Sequence, residues 1–257
     1  MRGMSAIFKK EMKSYFYSPL AYVLIGVFLA IMGVIFSAFI SIYQEYNALH
    51  RYGQSSGITV DRLVSQLFQN MAFVLCFMTP MLTMKLFAEE KRQQTFELLF
   101  TAPVTGAGLV LGKFFSALSL MGIMLGFSFC YIAFLLAWGN PDAAVILTTY
   151  LGLMLALCCY LSLGGLISAL SNSQAIAAVW TFIVLLFLWL LQTLGQRVAA
   201  KWGPIDWGAT LTYISPLGHF NPFVEGVIHI KDVTYFVTFT GLMLFLTHRA
   251  VESNRWR

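Results

Sequence analysis

Long uncharged apolar runs, separated by short polar or charged stretches, are the main pattern of the sequence. A bilayer core about 30 Å thick needs roughly 20 mostly apolar residues per helix. From Ala143 to Gln196 no charged residue occurs, and the polar stretch Ser171–Gln174 divides this run in two. The last apolar run is the shortest, and lysine and arginine at its ends are expected to reach the interface. The pattern predicts six spans, over residues 20–42, 63–86, 109–138, 145–170, 175–195 and 232–248.

The composition indicates a membrane protein. Apolar residues make up 59% of the chain and charged residues only 11%, against about 45–50% and about 25% in soluble proteins. So few charges cannot cover so much apolar surface in water, which excludes soluble enzymes, disordered tails and disulfide-knotted secreted domains. The first apolar run is too long for the core of a secretory signal, so we expect it to be retained. The predicted fold class is an all-α integral membrane protein with six transmembrane helices.

The lysines and arginines predict which side of the membrane each terminus faces. Six spans put both termini on one side, and basic residues concentrate on the cytoplasmic side. Eleven of the sixteen basic residues lie in the N-terminal tail, in the loop after the second span with its flanks, and in the C-terminal tail. We expect a multi-pass membrane protein with both termini in the cytoplasm. Topology thus explains the net charge of +5 without a nucleic-acid partner.

Residues 1–19 predict an amphipathic helix at the cytoplasmic interface of the bilayer. Five apolar side chains share one face at helical spacing, with lysines opposite; they are Met4, Phe8, Met12, Tyr15 and Phe16. Ser18 and Pro19 end this helix before the first span. A plain positively charged anchor for the first span is the alternative.

The loop over residues 87–106 is denser in charge than the other short loops. Its mixed charges suit a short solvated helix, and the apolar residues from Phe96 to Phe100 give that helix a side for docking onto another protein. Pro103 ends the helix. On pattern alone, protein docking and a simple surface helix remain equally open.

The segment over residues 197–231 is long for a connection between spans. Between Trp207 and Val224 it is apolar and uncharged, yet two prolines and a glycine interrupt it. Interrupted backbone needs protein or water partners at membrane depth. We therefore expect an outer re-entrant or interfacial hairpin before the last span.

No arrangement of residues typical of catalysis or metal binding stands out. The stretch from Gly106 to Phe114 resembles a phosphate-binding loop but lacks its first glycine and its hydroxyl residue. Gly108 with Gly112, and Gly122 with Gly126, are spaced for close helix packing instead. The histidines are scattered without neighbouring carboxylates, so we interpret them as hydrogen-bonded surface residues. The four cysteines lie in apolar runs and are expected to be free thiols.

The predicted spans hold no charge in their interiors, and ion-coupled carriers usually need one. Hydroxyl and amide side chains recur in the fourth and fifth spans, where they either line a polar path or bond helix to helix; they are Thr148, Thr149, Ser162, Ser168, Thr181 and Gln192. If the protein moves a substrate, the energy is expected to come from elsewhere.

Four stretches spread over the chain are distinctive: Lys9–Val23, Phe87–Thr105, Ile214–Phe236 and Leu244–Arg257. Together they resemble the permease subunit of bacterial ABC type-2 exporters, most closely the gliding-motility (GldF-like) group. This resemblance implies that the chain lies in the bacterial inner (cytoplasmic) membrane. The second stretch is the most specific. It departs from the group at Gln94, where glycine is common.

The resemblance implies a cytoplasmic coupling helix within residues 87–106 that touches a separate ABC ATPase subunit. The residues implied in this ATPase coupling are Glu89, Glu90, Lys91, Arg92, Gln93, Thr95, Phe96 and Glu97. The outer hairpin would act as an exit gate, with Pro216, His219, Phe220 and Pro222. ATP and magnesium would be bound by the partner, so this chain itself would be no enzyme and would hold no cofactor or metal.

The resemblance also implies partners within the membrane. A second permease subunit, alike or different, would form the translocation path with this chain. A membrane-anchored extracytoplasmic accessory protein is a further expected partner. Three alternatives remain: transmission of ATPase-driven motion to an extracytoplasmic partner without solute transport, an integral-membrane lipid-modifying enzyme, and a channel or secondary carrier.

Overall fold

The structure, a computed structural model, describes residues 2–51, 60–92, 105–139, 141–197, 201–202 and 205–253. These residues form ten α-helices and one antiparallel pair of two-residue strands. The first five helices are α1 Arg2–Tyr17, α2 Pro19–Arg51, α3 Val60–Thr83, α4 Ala88–Arg92 and α5 Gly106–Gly139. The rest are α6 Ala143–Leu170, α7 Gln174–Arg197, β1 Lys201–Trp202, β2 Ile205–Asp206, α8 Trp207–Ile214, α9 Pro216–Val224 and α10 Ile230–Ser253.

Six of these helices (α2, α3, α5, α6, α7 and α10) are long and apolar enough to cross a bilayer, which confirms the expected number of candidate spans. The last of them has 24 residues, seven more than the predicted 232–248. The first continues to Arg51, because the residues after position 42 contain no glycine or proline to stop it. The second ends at Thr83, before its predicted end at position 86, and a turn leads into α4.

Helix α6 lies at the centre of the bundle and packs against α3, α5, α7, α9 and α10. Two of its glycines allow close approach. A methyl group on Gly164 would lie 2.6 Å from Thr83 Oγ1, and one on Gly152 would lie 2.7 Å from Phe223 Cβ. In their most apolar stretches, α3 and α6 bury 72% and 67% of their residues, whereas α2, α7 and α10 bury 17%, 22% and 17%.

Helix α1 packs against α5. The residues that it buries are Ile7 and Tyr15, and Ile7 fits against Gly112, where a methyl group would meet its Cγ2 at 2.9 Å. Of the five residues predicted to share an apolar face, Tyr15 is buried and Met4, Phe8, Met12 and Phe16 are half-buried. Their place at the bilayer interface stays a prediction. Ile7, which packs against another helix, was not among the residues named from the sequence.

The other predicted glycine pair does not pack as expected. Methyl groups on Gly122 and Gly126 would meet no atom closer than 3.8 Å. Both glycines instead line a cavity of about 430 Å³ together with Tyr150 and Met154.

Candidate functional site

The short helix α4 is attached to the C-terminal end of α6. The backbone N–H groups of Phe87 and Ala88 donate to Ser168 Oγ at 3.1 and 3.2 Å. The Lys91 ammonium donates to the carbonyl oxygen of Ala169. First-turn N–H groups and last-turn carbonyls of helices have no partner inside their own helix. Each helix therefore satisfies terminal groups of the other, and this fixes α4 to α6.

The buried side chain of Lys113 ties the same region to two more helices. Its Nζ lies 2.9 Å from Glu90 Oε1 on α4 and 3.1 Å from Glu11 Oε1 on α1. Lys113 extends from α5 with 2% of its side chain exposed, and its Nζ lies 5.5 Å from the centre of the Phe87 ring. A buried ammonium is stable only with charged partners and hydrogen bonds. Three helices are thus joined through one atom.

Tyr15 of α1 is buried near these carboxylates. Burial, followed by the negative charge of Glu11, raises the pKa of its phenol well above the usual range. Tyr15 therefore stays neutral and adds no third negative charge to this region.

At the opposite end of α6, the backbone of α9 is bonded to two threonines. The hydroxyls of Thr148 and Thr149 both donate to the carbonyl oxygen of Phe223, at 3.1 and 3.0 Å. Ser65 of α3 donates to the next carbonyl, that of Val224, at 3.4 Å. Together with the close contact at Gly152, these bonds attach the α8–α9 hairpin, residues 207–224, to α6.

His219 joins three helices at this hairpin. From α9, its Nδ1 lies 2.6 Å from Asp232 Oδ1 on α10, and its Nε2 lies 2.9 Å from the carbonyl oxygen of Tyr213 on α8. Only 5% of the His219 side chain and 3% of the Asp232 side chain are exposed. The imidazole stacks on the Tyr235 ring at 4.0 Å. The Tyr235 hydroxyl in turn donates to the carbonyl oxygen of Ile214.

The remaining residues predicted for the exit gate also lie in α9. Pro216 and Phe220 are buried, and Pro222 is half-buried within the helix. Phe220 lies against Gly152, where a methyl group would meet its ring at 3.1 Å. The hairpin is therefore packed closely onto α6 in this structure.

A family model described as "ABC-2 family transporter protein" matches residues 5–251. The chain belongs to this ABC-2 family. Its members are membrane subunits of ABC transporters rather than catalytic subunits, and they associate with an ABC ATPase and often with a second permease. No curated protein sequence matches the chain significantly.

As an ABC-2 membrane subunit, the chain is a multi-pass membrane protein. Of the residues predicted for ATPase coupling, Glu89, Glu90 and Lys91 are half-buried and Arg92 is exposed in α4. Glu90 and Lys91 make the attachments to α5 and α6 described above. Gln93, Thr95, Phe96 and Glu97 lie outside the described residues.

One expectation about a titratable group is wrong for this ABC-2 protein. His219 is a buried residue with a carboxylate partner, not a surface histidine. The partner is 13 residues away in sequence, at a spacing that matches no known motif. Lys113, which was counted from the sequence with the basic residues flanking the loop after the second span, is buried near the start of α5, and this agrees with uncharged span interiors. The position of Lys113 between apolar residues at the start of a span is the feature of the sequence that could have indicated its ion pairs with Glu11 and Glu90.

The hydroxyls within the spans of the ABC-2 chain serve backbone bonding. Ser162 donates to the carbonyl of Cys159, and Thr181 to that of Ala177. Ser168 and the two threonines bond other segments. Bonding between segments, one of the two interpretations left open, therefore holds for Thr148, Thr149 and Ser168, whereas Ser162 and Thr181 bond within their own helices. The oxygen of Gln192 is buried without a hydrogen-bond partner among the described residues.

Proposed function

We propose that the chain is the membrane-spanning permease subunit of an ATP-binding cassette exporter, driven by a separate ATPase subunit. The ATPase binds on the face of the bundle that carries α1 and α4, which the positive-inside rule makes cytoplasmic. The α4 region, residues 87–106, is the coupling helix region that meets the ATPase. ATP and magnesium belong to that partner.

The attachment of α4 on two sides carries this proposal. Ser168 and Ala169 hold α4 to α6, and Lys113 holds it to α5 and α1 through Glu90 and Glu11. A force applied by the ATPase to α4 therefore reaches three helices directly. Packed helices respond to such a force by rigid movement rather than by continuous deformation.

The test is ATPase stimulation in a reconstituted complex. The chain is co-expressed with the ATPase and permease encoded by neighbouring genes, purified in mild detergent and assayed for ATP hydrolysis. Alanine in place of Glu89, Glu90 and Phe96 is expected to remove the stimulation. The matched control replaces Glu252, an acidic residue of α10. Failure to recover any ATPase under several extraction conditions, or full stimulation in the triple variant, would contradict the proposal.

On the opposite face, the α8–α9 hairpin is proposed as the exit gate. The translocation path then runs between this chain and a second permease subunit, alike or different. The wide outward apolar faces of α2, α7 and α10 leave room for such a neighbour beside lipid. The gliding-motility subgroup, with its membrane-anchored accessory partner, stays a prediction.

A second candidate function is mechanical: the same ATPase-driven motion is passed to an extracytoplasmic partner without solute transport. It is favoured by the hydroxyls of Thr148, Thr149 and Ser168, which attach the hairpin and α4 to the same central helix and so connect the two faces of the bundle mechanically. A flux assay in sealed vesicles separates the two. ATP-dependent flux supports export, whereas hydrolysis and hairpin movement without flux support mechanical transmission.

A further inference from the structure

The protonation of His219 is fixed on one side by its backbone partner. The carbonyl oxygen of Tyr213 can only accept, so Nε2 must carry a hydrogen and donate it. Nδ1 faces the carboxylate of Asp232 at 2.6 Å, slightly closer than the about 2.7–2.9 Å of charge-assisted N–H···O bonds, and two lone pairs would repel each other at this distance. One proton therefore lies between Nδ1 and Oδ1. With that proton the pair is neutral overall.

The surroundings of the pair make this proton essential. Asp232 Oδ2 is buried and has no hydrogen-bond partner among the described residues. Without the shared proton, the Nδ1 lone pair would face a buried carboxylate with no other donor nearby, which is costly. The position of Asp232 in the first turn of α10 favours the ionised carboxylate, and the stacked Tyr235 ring favours the imidazolium.

We propose that His219 and Asp232 form a proton-binding site that holds the α8–α9 hairpin closed on the bundle. The shared proton joins α9 to α10, while Nε2 joins α9 to α8. Loss of the proton releases the hairpin. The proposal concerns this chain alone and does not depend on its substrate or on the ATPase.

The sign of the pH dependence follows from counting protons. In the released hairpin, a solvated imidazole above its ordinary titration range is neutral and the carboxylate is ionised. The closed hairpin then holds one proton more than the open hairpin, so closing is favoured as the pH falls and opening as it rises. At pH values low enough for the solvated imidazole to hold the proton as well, the equilibrium between open and closed hairpin no longer depends on pH.

Other titratable groups near the pair are few. The closest are Tyr213 and Tyr235, whose rings contact the imidazole, and Cys159 and Tyr160 of α6, which lie beside Tyr235. Glu225, His229 and Lys231 flank the hairpin and are exposed. Among these seven groups His229 is the other imidazole, so its replacement serves as the control.

Hydrogen–deuterium exchange of the full-length chain in lipid nanodiscs tests the site. Exchange over residues 207–224 is followed from neutral to alkaline pH and corrected for the intrinsic rate, with α6 peptides as the internal reference. We expect opening in the unmodified chain to rise with pH, on the order of tenfold, as for loss of one charge-assisted hydrogen bond. The His229→Gln control is expected to match it.

Two substitutions of Asp232 separate the effect of the shared proton from the effect of side-chain packing. Asp232→Ala removes the partner, so the hairpin is expected to be open at every pH. Asp232→Asn retains a bond, because its amide can donate to neutral Nδ1, but has no shared proton, so the hairpin stays closed with a flat pH profile. Should the alanine variant fail to fold, the asparagine variant alone decides. An unmodified chain with a flat profile, or an asparagine variant that keeps the unmodified pH profile, overturns the proposal.

Nitrogen-15 spectra of the histidine-labelled chain give an independent readout. The His219 signals are identified by their loss in His219→Gln. In the unmodified chain at neutral pH, both ring nitrogens are expected to carry a proton to a large degree. In Asp232→Asn only Nε2 should do so. A single neutral tautomer of His219 in the unmodified chain would contradict proton sharing.

Discussion

The two ends of α6 hold their neighbours by different chemistry. At the C-terminal end, α4 is held by full charges, since Lys113 sits between Glu11 and Glu90 and Lys91 bonds a terminal carbonyl. At the N-terminal end, the hairpin is held by threonine hydroxyls, by close packing at Gly152 and by a single pair of titratable side chains, His219 and Asp232. The first end is fixed by charges on three helices. The second end depends largely on uncharged hydroxyls and apolar packing, with one histidine–aspartate pair among its contacts.

This difference fits the tasks proposed for the two ends. A region that receives force from another protein should not separate from the spans under load, and buried ion pairs are costly to break. A region that opens and closes needs attachments that cost little free energy to break. The comparison between the two ends yields four predictions. Disrupting the charged contacts at the C-terminal end of α6 is expected to cause the largest loss of stability.

Lys113→Met is expected to have the largest effect. It leaves two largely buried carboxylates without their cation, which costs about 3–5 kcal/mol when a buried pair loses one partner. Thermal unfolding in detergent measures the loss, and ATPase stimulation should fall with it. Lys13→Met, on the exposed face of α1, is the control. A loss within about 1 kcal/mol would show that the triad behaves as a surface pair.

Gly152→Ala is expected to have the second-largest effect, a loss of stability of about 1–3 kcal/mol, which is the usual cost of overpacking. Its methyl group would lie 2.7 Å from Phe223 Cβ, so the hairpin must shift. Hydrogen exchange over residues 207–224 and thermal unfolding both measure this. Gly126→Ala adds the same group where no atom lies within 4 Å, and should stabilise the helix slightly. Equal effects of the two variants would refute close packing at the hairpin.

Ser168→Ala removes the acceptor of two N–H groups at the start of α4. The expected loss is about 0.5–2 kcal/mol, as for a helix N-cap, with greater exchange over residues 87–92. Ser162→Ala is matched to it, because among the described residues that buried hydroxyl bonds within its own helix. If both variants behave alike, Ser168 does not hold α4.

Glu252→Gln should have the smallest effect. Its carboxylate lies 3.4 Å from His248 Nε2 and 3.7 Å from Arg249 Nη1, and 41% of the side chain is exposed. Exposed pairs contribute about 0–1 kcal/mol, so the melting temperature should hardly change. A loss comparable to that of Lys113→Met would remove the distinction between buried and surface charge in this chain.

Much of the fold follows from hydrophobic patterning. Six spans, the break at Ser18 and Pro19, and the division at Ser171–Gln174 were readable because a bilayer imposes a minimum helix length and because proline and polar residues end helices. Contacts between helices were less accessible. The burial of Ile7 against Gly112 depends on which face of α1 meets protein, and the sequence alone does not distinguish lipid from protein as a neighbour.

The contacts at the candidate sites were even harder to predict from the sequence. Residues of α4 were named from a resemblance, but their partners Glu11, Lys113 and Ser168 come from three separate helices. Asp232 was assigned to the edge of a span, and nothing in its spacing from His219 indicated a bond. Pairs that form across a bundle are set by tertiary packing, which local patterns do not encode.

The shallow burial of α2, α7 and α10 has a consequence for how such a chain diverges. Because α3, α5 and α6 supply most of the buried core residues, replacing outward side chains on α2, α7 and α10 is expected to alter neither the core nor the attachments of α4 and the hairpin. A duplicated gene copy can therefore drift on those faces and acquire a new neighbour while its inherited machinery stays intact.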